Sequence, residues 1–77
     1  MSQLILFSGR DCHLCDAAKA LLANVDLSNF DLSSIDVKAQ REYFHEYGAR
    51  IPVLKRVDSE AELAWPFDQM QIEEFLK

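Results

Sequence analysis

Two cysteines, Cys12 and Cys15, stand between an apolar run and an amphipathic helical pattern, and this junction limits the folds open to the chain. The run "LILF" at 4–7 lacks alternation of apolar and polar residues, which is typical of a strand covered on both faces. A helix is predicted after it, because apolar residues recur every three or four positions along one face, at Leu14, Ala18, Leu21, Leu22 and Val25. Asp11 is a favourable N-cap residue, so we expect the helix to begin near Cys12.

The rest of the chain continues the alternation of strands and helices. The patterns predict a strand within 29–37, a helix over 39–48, and strands over 53–57 and 63–65. The apolar candidates of the first of these strands are Phe30, Leu32, Ile35 and Val37. Gly48 is expected to end the second helix as a left-handed C-cap. Pro52 excludes a helix from the segment that follows.

The last helix has the most explicit local signals. Asp68 and Gln71 have the spacing of a capping box, and Phe67 and Ile72 have that of a hydrophobic staple. The full order is β-α-β-α-β-β-α, in which strand, crossover helix and strand imply a right-handed parallel unit. We therefore predict one α/β domain over 1–77, a four-stranded mixed sheet with helices on both faces.

The charge balance argues against several classes of partner. Thirteen acidic and eight basic residues give a net charge of −5, which disfavours nucleic acid and anionic membranes. The adjacent pair Lys55 and Arg56 is interpreted as solvated charge on a strand. The N-terminal stretch has no basic region and its apolar run is four residues long, so neither a signal peptide nor a membrane span is predicted. We expect a cytoplasmic monomer, in a compartment that keeps thiols reduced.

The spacing of Cys12 and Cys15 permits a bridge that opens and closes without refolding. Residues at i and i+3 share one face of a helix, and their Cα atoms lie roughly 5 Å apart, within the range of a disulfide. Cys12 is the expected nucleophile, because a helix N-terminus and the nearby Arg10 lower the pKa of such a thiol from about 8.5 to about 3.5–7.5. Cys15, one turn further along and more buried, is the expected resolving thiol.

His13 lies between the cysteines, and two interpretations of it stay open. Its imidazolium is a candidate for tuning the Cys12 thiolate, or it is an exposed histidine of the first turn. No base for Cys15 is identified, because "LILF" carries no acid. A zinc site would need two further ligands, and His13 and His45 are poorly placed to supply them, so no metal is expected.

These residues resemble the glutaredoxin branch of the thioredoxin fold, and most closely the short bacterial glutaredoxin-like proteins whose active site reads C-H-L-C. The resemblance runs from Leu4 to Leu76 and includes the first strand, the cysteine pair at a helix start, "RIPV" and "ELAWPFD". It implies a thioredoxin-like, glutaredoxin-type fold with a nucleophilic Cys12, a resolving Cys15 and a cis-proline at Pro52 that faces them.

The same resemblance implies residues that bind substrate. Ile51, beside Pro52, would present its backbone N–H and C=O to an extended substrate, which adds like a strand. Arg10 and Asp68 match positions of the glutathione site in that family.

The resemblance also implies an activity. The chain is expected to be a thiol–disulfide oxidoreductase that reduces disulfides or glutathione mixed disulfides, with no bound cofactor and with glutathione as a candidate co-substrate. Glutathione or a thioredoxin-type partner would be the reductant. The chain departs from the family where Leu14 replaces a usual tyrosine and where Pro66 and Phe67 replace a Gly-Gly pair. The alternative function is a redox-inactive adaptor, or a glutathione-binding module, with the same fold.

Overall fold

The computed structural model describes residues 2–77, which form seven elements in the predicted order. The elements are β1 (Ser2–Ser8), α1 (His13–Leu22), β2 (Phe30–Asp36), α2 (Arg41–Tyr47), β3 (Val53–Arg56), β4 (Glu62–Ala64) and α3 (Gln69–Phe75). None of the helices within this range combines the length and the apolar character needed to cross a membrane.

The four strands form one mixed sheet in the order β2-β1-β3-β4. β1 runs parallel to β2 over its whole length, from Ser2 opposite Phe30 to Ser8 opposite Asp36. β3 lies antiparallel to both β1 and β4. The predicted four-stranded mixed sheet is confirmed, with β1 inside it and β2 and β4 at its edges.

Apolar side chains cover both faces of this sheet. Because side chains alternate along a strand, Leu4 and Leu6 lie on one face of β1 and Phe7 lies on the other. The first face packs against α1 and α3 in a cluster of Leu4, Leu6, Ala18, Leu22, Leu54, Phe67 and Ile72. The second face packs against α2 in a cluster of Phe7, Val37, Tyr47 and Val53. Helices on both faces are confirmed, and the end of β1 is held from both sides.

The local signals at the start of α3 are confirmed. The Gln71 N–H donates to the Asp68 carboxylate at 2.8 Å, and the Asp68 N–H donates to the Gln71 side chain at 2.9 Å. Phe67 and Ile72, the two residues of the predicted staple, are both buried in the cluster between α1, α3 and the sheet. The capping box therefore satisfies two backbone donors that a helix start would leave unpaired.

Three expectations about single residues are wrong. Leu14 is 50% exposed, because the buried positions of α1 are Cys15, Ala18 and Leu22. Leu32, on the edge strand β2, is exposed as well, at 42%. Gly48 has a right-handed φ of −53° and is not a left-handed cap. Glycine is required there for space, because a Cβ would lie 2.5 Å from the Phe44 carbonyl oxygen.

Arg56 is not the solvated charge that the sequence suggests. Its guanidinium forms two hydrogen bonds to the Asp58 carboxylate and donates to the carbonyl oxygens of Phe75 and Lys77 at 2.9 and 3.0 Å. It also lies 5.2 Å from the centre of the Phe30 ring, and its side chain is only 16% exposed. Arg56 thus joins the end of β3 to the end of α3 and to the start of β2.

Candidate active site

Cys12 is itself the N-cap of α1. Its Sγ accepts a hydrogen bond from the Cys15 N–H at 3.1 Å, and its carbonyl accepts the first helical bond from the Asp16 N–H at 3.1 Å. The expectation that Asp11 caps the helix is wrong: Asp11 has a φ of 52°, in the left-handed region, and makes the turn before the cap. Asp tolerates that region better than most residues, so Asp11 shapes the turn while the cysteine sulfur takes the capping position.

The two cysteines form a disulfide with a Cα–Cα distance of 5.2 Å, in agreement with the spacing argument. Cys12 is half-buried, whereas Cys15 is 1% exposed and belongs to the buried face of α1. A molecule that approaches from solvent therefore meets the Cys12 sulfur first. The asymmetry assigned to the pair from sequence is present in the burial of the two residues.

The charged neighbours of the pair are placed differently from one another. His13 is the exposed first residue of α1, and its side chain takes part in no hydrogen bond or ion pair within residues 2–77. The Arg10 side chain is largely exposed, and its Nε lies 3.4 Å from Asp36 Oδ2. Arg10 is thus an ion-pair partner of Asp36 at the end of β2.

The Ile51–Pro52 peptide bond is cis, as the resemblance implies. The Ile51 N–H donates to the Tyr47 carbonyl at 3.1 Å, so it is not open to a substrate as expected. No hydrogen bond found within residues 2–77 uses the Ile51 carbonyl, so that oxygen keeps its capacity to accept one. The Ile51 side chain lies against Gly9, where an added Cβ would be 2.9 Å from Ile51 Cδ1. The segment before Pro52 therefore contacts the loop that carries the cysteines.

A second cis-proline lies close to the first. The Trp65 N–H donates to the Pro52 carbonyl at 3.2 Å, and the Trp65–Pro66 bond is also cis. The Phe67 ring packs edge-on against the Trp65 ring, with 5.1 Å between the ring centroids, and Phe67 is buried in the core. Phe67, at one of the two Gly-Gly positions of the resemblance, is therefore a core side chain.

Asp68 acts within the described residues as a helix cap. Its carboxylate and its N–H both take part in the capping box, and no hydrogen bond or ion pair among residues 2–77 joins Asp68 to the cysteine loop. Its role toward glutathione stays a prediction.

The structure also shows a polar cluster of Tyr47, Arg50 and Glu62, which the sequence patterns do not predict. Tyr47 does pack, with its ring stacked on Phe7 at a centroid distance of 4.0 Å. Its hydroxyl also donates to Glu62 Oε2 at 2.5 Å, and Arg50 Nη1 lies 3.7 Å from Glu62 Oε1. Burial, reinforced by the hydrogen bond to Glu62, raises the pKa of Tyr47 well above its ordinary value. No local pattern could have joined residues fifteen positions apart.

Within residues 2–77, no three side chains of His, Cys, Asp or Glu come together in a way that could hold a metal ion. His45, one of the two histidines weighed as ligands, lies on α2 and is exposed.

Several known proteins are similar to this chain. A family model described as "Glutaredoxin-like domain (DUF836)" matches residues 3–77. The crystal structure of protein XcR50 from X. campestris is 34% identical with a TM-score of 0.82, covering 95% of this chain and 93% of that one. Protein Ne2328 from Nitrosomonas europaea is 28% identical with a TM-score of 0.76, covering 99% of this chain and 92% of that one. No curated protein matches the chain.

A more distant structure agrees in fold alone. Desulfothioredoxin from Desulfovibrio vulgaris Hildenborough, solved in its reduced form, is 18% identical with a TM-score of 0.74, covering 97% of this chain and 78% of that one. The thioredoxin-like fold and the glutaredoxin-like resemblance are therefore both confirmed. Since the family model spans nearly all of the sequence, the chain belongs to the Glutaredoxin-like domain (DUF836) family.

Proposed function

We propose that the chain is a thiol–disulfide oxidoreductase in which Cys12 and Cys15 exchange electrons with disulfide substrates. The observation that carries the proposal is the asymmetric pair at the start of α1. Cys12 is half-exposed, caps the helix and accepts a backbone hydrogen bond, while its bridge partner Cys15 is buried. The family match supports the same chemistry.

The exchange proceeds in two displacement steps. The Cys12 thiolate attacks one sulfur of the substrate disulfide, which forms a mixed disulfide and releases the other substrate sulfur as a thiolate. Cys15 then loses its proton and attacks the Cys12 sulfur, so that the Cys12–Cys15 bridge forms and the second substrate thiol leaves. The substrate gains two electrons and the protein loses two, and an external thiol restores the dithiol by the reverse steps.

The position of Cys12 favours its thiolate. Backbone N–H groups at a helix start are unpaired and carry partial positive charge, which stabilises an anion there. The Cys15 N–H already points at Cys12 Sγ in the bridged state, so the donor that a thiolate needs is in place. The Cys15 sulfur is buried, so it does not meet a substrate directly and reacts only after the mixed disulfide on Cys12 has formed.

The proposed substrates are protein disulfides or glutathione mixed disulfides. The Ile51 carbonyl is proposed as the acceptor for a substrate backbone N–H, with Pro52 beside it as the wall of the groove. For glutathione, Arg10 is the proposed cation, and Asp68 contributes by capping α3. The proposed reductant is glutathione or a thioredoxin-type partner, with no bound cofactor.

The proposed setting is a monomer in the cytoplasm. Disulfides of cytosolic proteins are usually transient and catalytic, and a bridge across four residues at a helix start fits such use better than a structural role.

An assay of insulin disulfide reduction with dithiothreitol as the electron source tests the proposal. The wild type should accelerate reduction, and Cys12→Ser should abolish the acceleration because it removes the attacking sulfur. Cys15→Ser should retain a mixed disulfide on Cys12 that mass spectrometry identifies. A wild type that neither accelerates reduction nor forms a mixed disulfide in a glutathione redox buffer would leave the adaptor alternative in its place.

His13 is the proposed tuning residue, and its contribution can be separated from that of Arg10. The ultraviolet absorbance of the thiolate is titrated in His13→Ala and in Arg10→Ala, with wild type as reference. Loss of a cation near Cys12 should move the titration midpoint to higher pH. An unmoved midpoint in either variant removes that residue from the tuning role.

A further inference from the structure

We infer that Glu62 is a positioning residue of the exchange reaction, which holds the Ile51–Pro52 segment in place through Tyr47 and Arg50. The inference rests on the proposed function and extends it to a residue outside the cysteine loop. Glu62 begins β4, whereas Tyr47 ends α2 and Arg50 lies in the loop before β3.

The three side chains of this cluster contact one another in every pairing. Glu62 Oε2 accepts a hydrogen bond from the Tyr47 hydroxyl at 2.5 Å, and Glu62 Oε1 lies 3.7 Å from Arg50 Nη1. The Arg50 guanidinium carbon lies 5.0 Å from the centre of the Tyr47 ring. The Glu62 carboxylate thereby ties the end of α2 and the following loop to the edge strand of the sheet.

Tyr47 transmits this tie to the segment beside Pro52. Its carbonyl accepts the N–H groups of Arg50 at 2.8 Å and of Ile51 at 3.1 Å. Its ring stacks on Phe7, and the Ile51 side chain reaches Gly9, in the loop that leads to the cysteines. A displacement of Tyr47 therefore moves the backbone group that we propose for substrate binding, while α1 and its cysteines keep their own contacts.

The hydrogen bond to Tyr47 is the stronger half of the cluster. Tyr47 is 1% exposed, so removing the acceptor would leave a buried hydroxyl without a partner, which costs more than the bond itself is worth. The Glu62 side chain is 29% exposed and that of Arg50 47%, so solvent screens their ion pair and reduces its contribution. Glu62 should therefore act mainly as an acceptor for Tyr47, and a neutral acceptor of the same shape should replace it.

The test compares Glu62→Ala, Glu62→Gln and Tyr47→Phe with wild type in steady-state reduction of a peptide disulfide. Glu62→Ala and Tyr47→Phe should raise KM about threefold to tenfold and leave kcat within about twofold, because substrate binding is disturbed and the cysteines are not. The thiolate titration of Cys12 should not move. Glu62→Gln keeps an acceptor for the hydroxyl and should restore most of the wild-type KM.

Two matched controls exclude general effects of charge and of hydroxyl loss. Glu42→Gln removes an exposed acid from the first turn of α2, and Tyr43→Phe removes a hydroxyl that has no hydrogen-bond partner within residues 2–77. Neither should change KM. As a direct structural readout, hydrogen exchange of the Arg50 and Ile51 amides should accelerate about tenfold in Glu62→Ala.

The outcomes separate this inference from the proposed function. A wild type without reductase activity overturns both. An active wild type with unchanged KM in Tyr47→Phe, or with equal KM increases in the two controls, overturns the inference alone. Should Glu62→Ala fail to fold, Tyr47→Phe and Glu62→Gln still decide it, because KM must rise in the first and stay near wild type in the second.

Discussion

Reducing the Cys12–Cys15 bridge should lower the free energy of unfolding by roughly 1–1.6 kcal/mol. The bridge closes a loop of four residues, and the loop entropy that it removes from the unfolded chain is worth about 1.9 kcal/mol at 25 °C. Reduction also creates a thiolate at the start of α1, and its interaction with the helix dipole stabilises the folded protein by about 0.3–1 kcal/mol. For a domain of this size, the net loss corresponds to a fall in Tm of about 4–13 °C.

Urea denaturation at neutral pH measures this difference in the oxidised protein and in the protein reduced with excess dithiothreitol. Cys12→Ser lacks the bridge but keeps an oxygen that can cap α1, so its stability should lie close to that of the reduced protein. Cys12→Ala lacks the cap as well and should be less stable than Cys12→Ser by about 1 kcal/mol.

Two results would contradict this reasoning. A reduced protein as stable as the oxidised one would show that the constraint on the unfolded chain is cancelled by interactions of the free thiols. Equal stabilities of Cys12→Ser and Cys12→Ala would show that the side chain at this position does not cap α1, despite the contact between Cys12 Sγ and the Cys15 N–H.

Three further predictions concern the capping box, the stability at alkaline pH and the contact between Gly9 and Ile51. Asp68→Ala should cost about 1 kcal/mol in chemical denaturation, whereas Asp68→Asn should stay within a few tenths because Asn caps equally well. Burial raises the pKa of Tyr47 above its ordinary value of 10.0. The neutral hydroxyl of Tyr47 therefore contributes its full stabilisation below pH 10.0, and this stabilisation is lost as the pH rises from there through the raised pKa. Tyr47→Phe should flatten that part of a stability–pH profile, and an unchanged profile would disprove the assignment. Gly9→Ala should displace the end of the Ile51 side chain and thereby raise KM, because Ile51 belongs to the proposed substrate-binding segment. The loss of stability should be about 1 kcal/mol or less, since the flexible end of the Ile51 side chain can move away. Adding Ile51→Val should restore KM.

The elements that were predicted from the sequence have signals that are local in the chain. The apolar run of β1 and the reciprocal spacing of Asp68 and Gln71 each determine a structure within a few residues, and both are confirmed. The position of Cys12 at a helix start also follows from neighbouring residues, although the identity of the cap does not. Asp11 and Cys12 compete for that position, and the left-handed backbone at Asp11 decides between them.

The features that were missed depend on residues distant in sequence. Arg56 looks like surface charge until α3 brings the carbonyl oxygens of Phe75 and Lys77 within reach. The acceptor for the Tyr47 hydroxyl lies on β4, so a helical pattern indicates only that Tyr47 packs. Leu32 is a further case, because an apolar residue in a strand pattern is buried only where other elements cover its face of the sheet, and Leu32, on the edge strand β2, is 42% exposed.

The backbone contact between Trp65 and Pro52 has a practical consequence. Trp65 is the only tryptophan of the chain, and its backbone N–H donates to the carbonyl of Pro52, the proline that the family resemblance places opposite the cysteines. Its half-buried indole packs against Phe67, so the emission wavelength and anisotropy of the protein report on this one segment. Substrate docking could therefore be followed optically in rapid-mixing experiments, without a dye and without altering either sulfur.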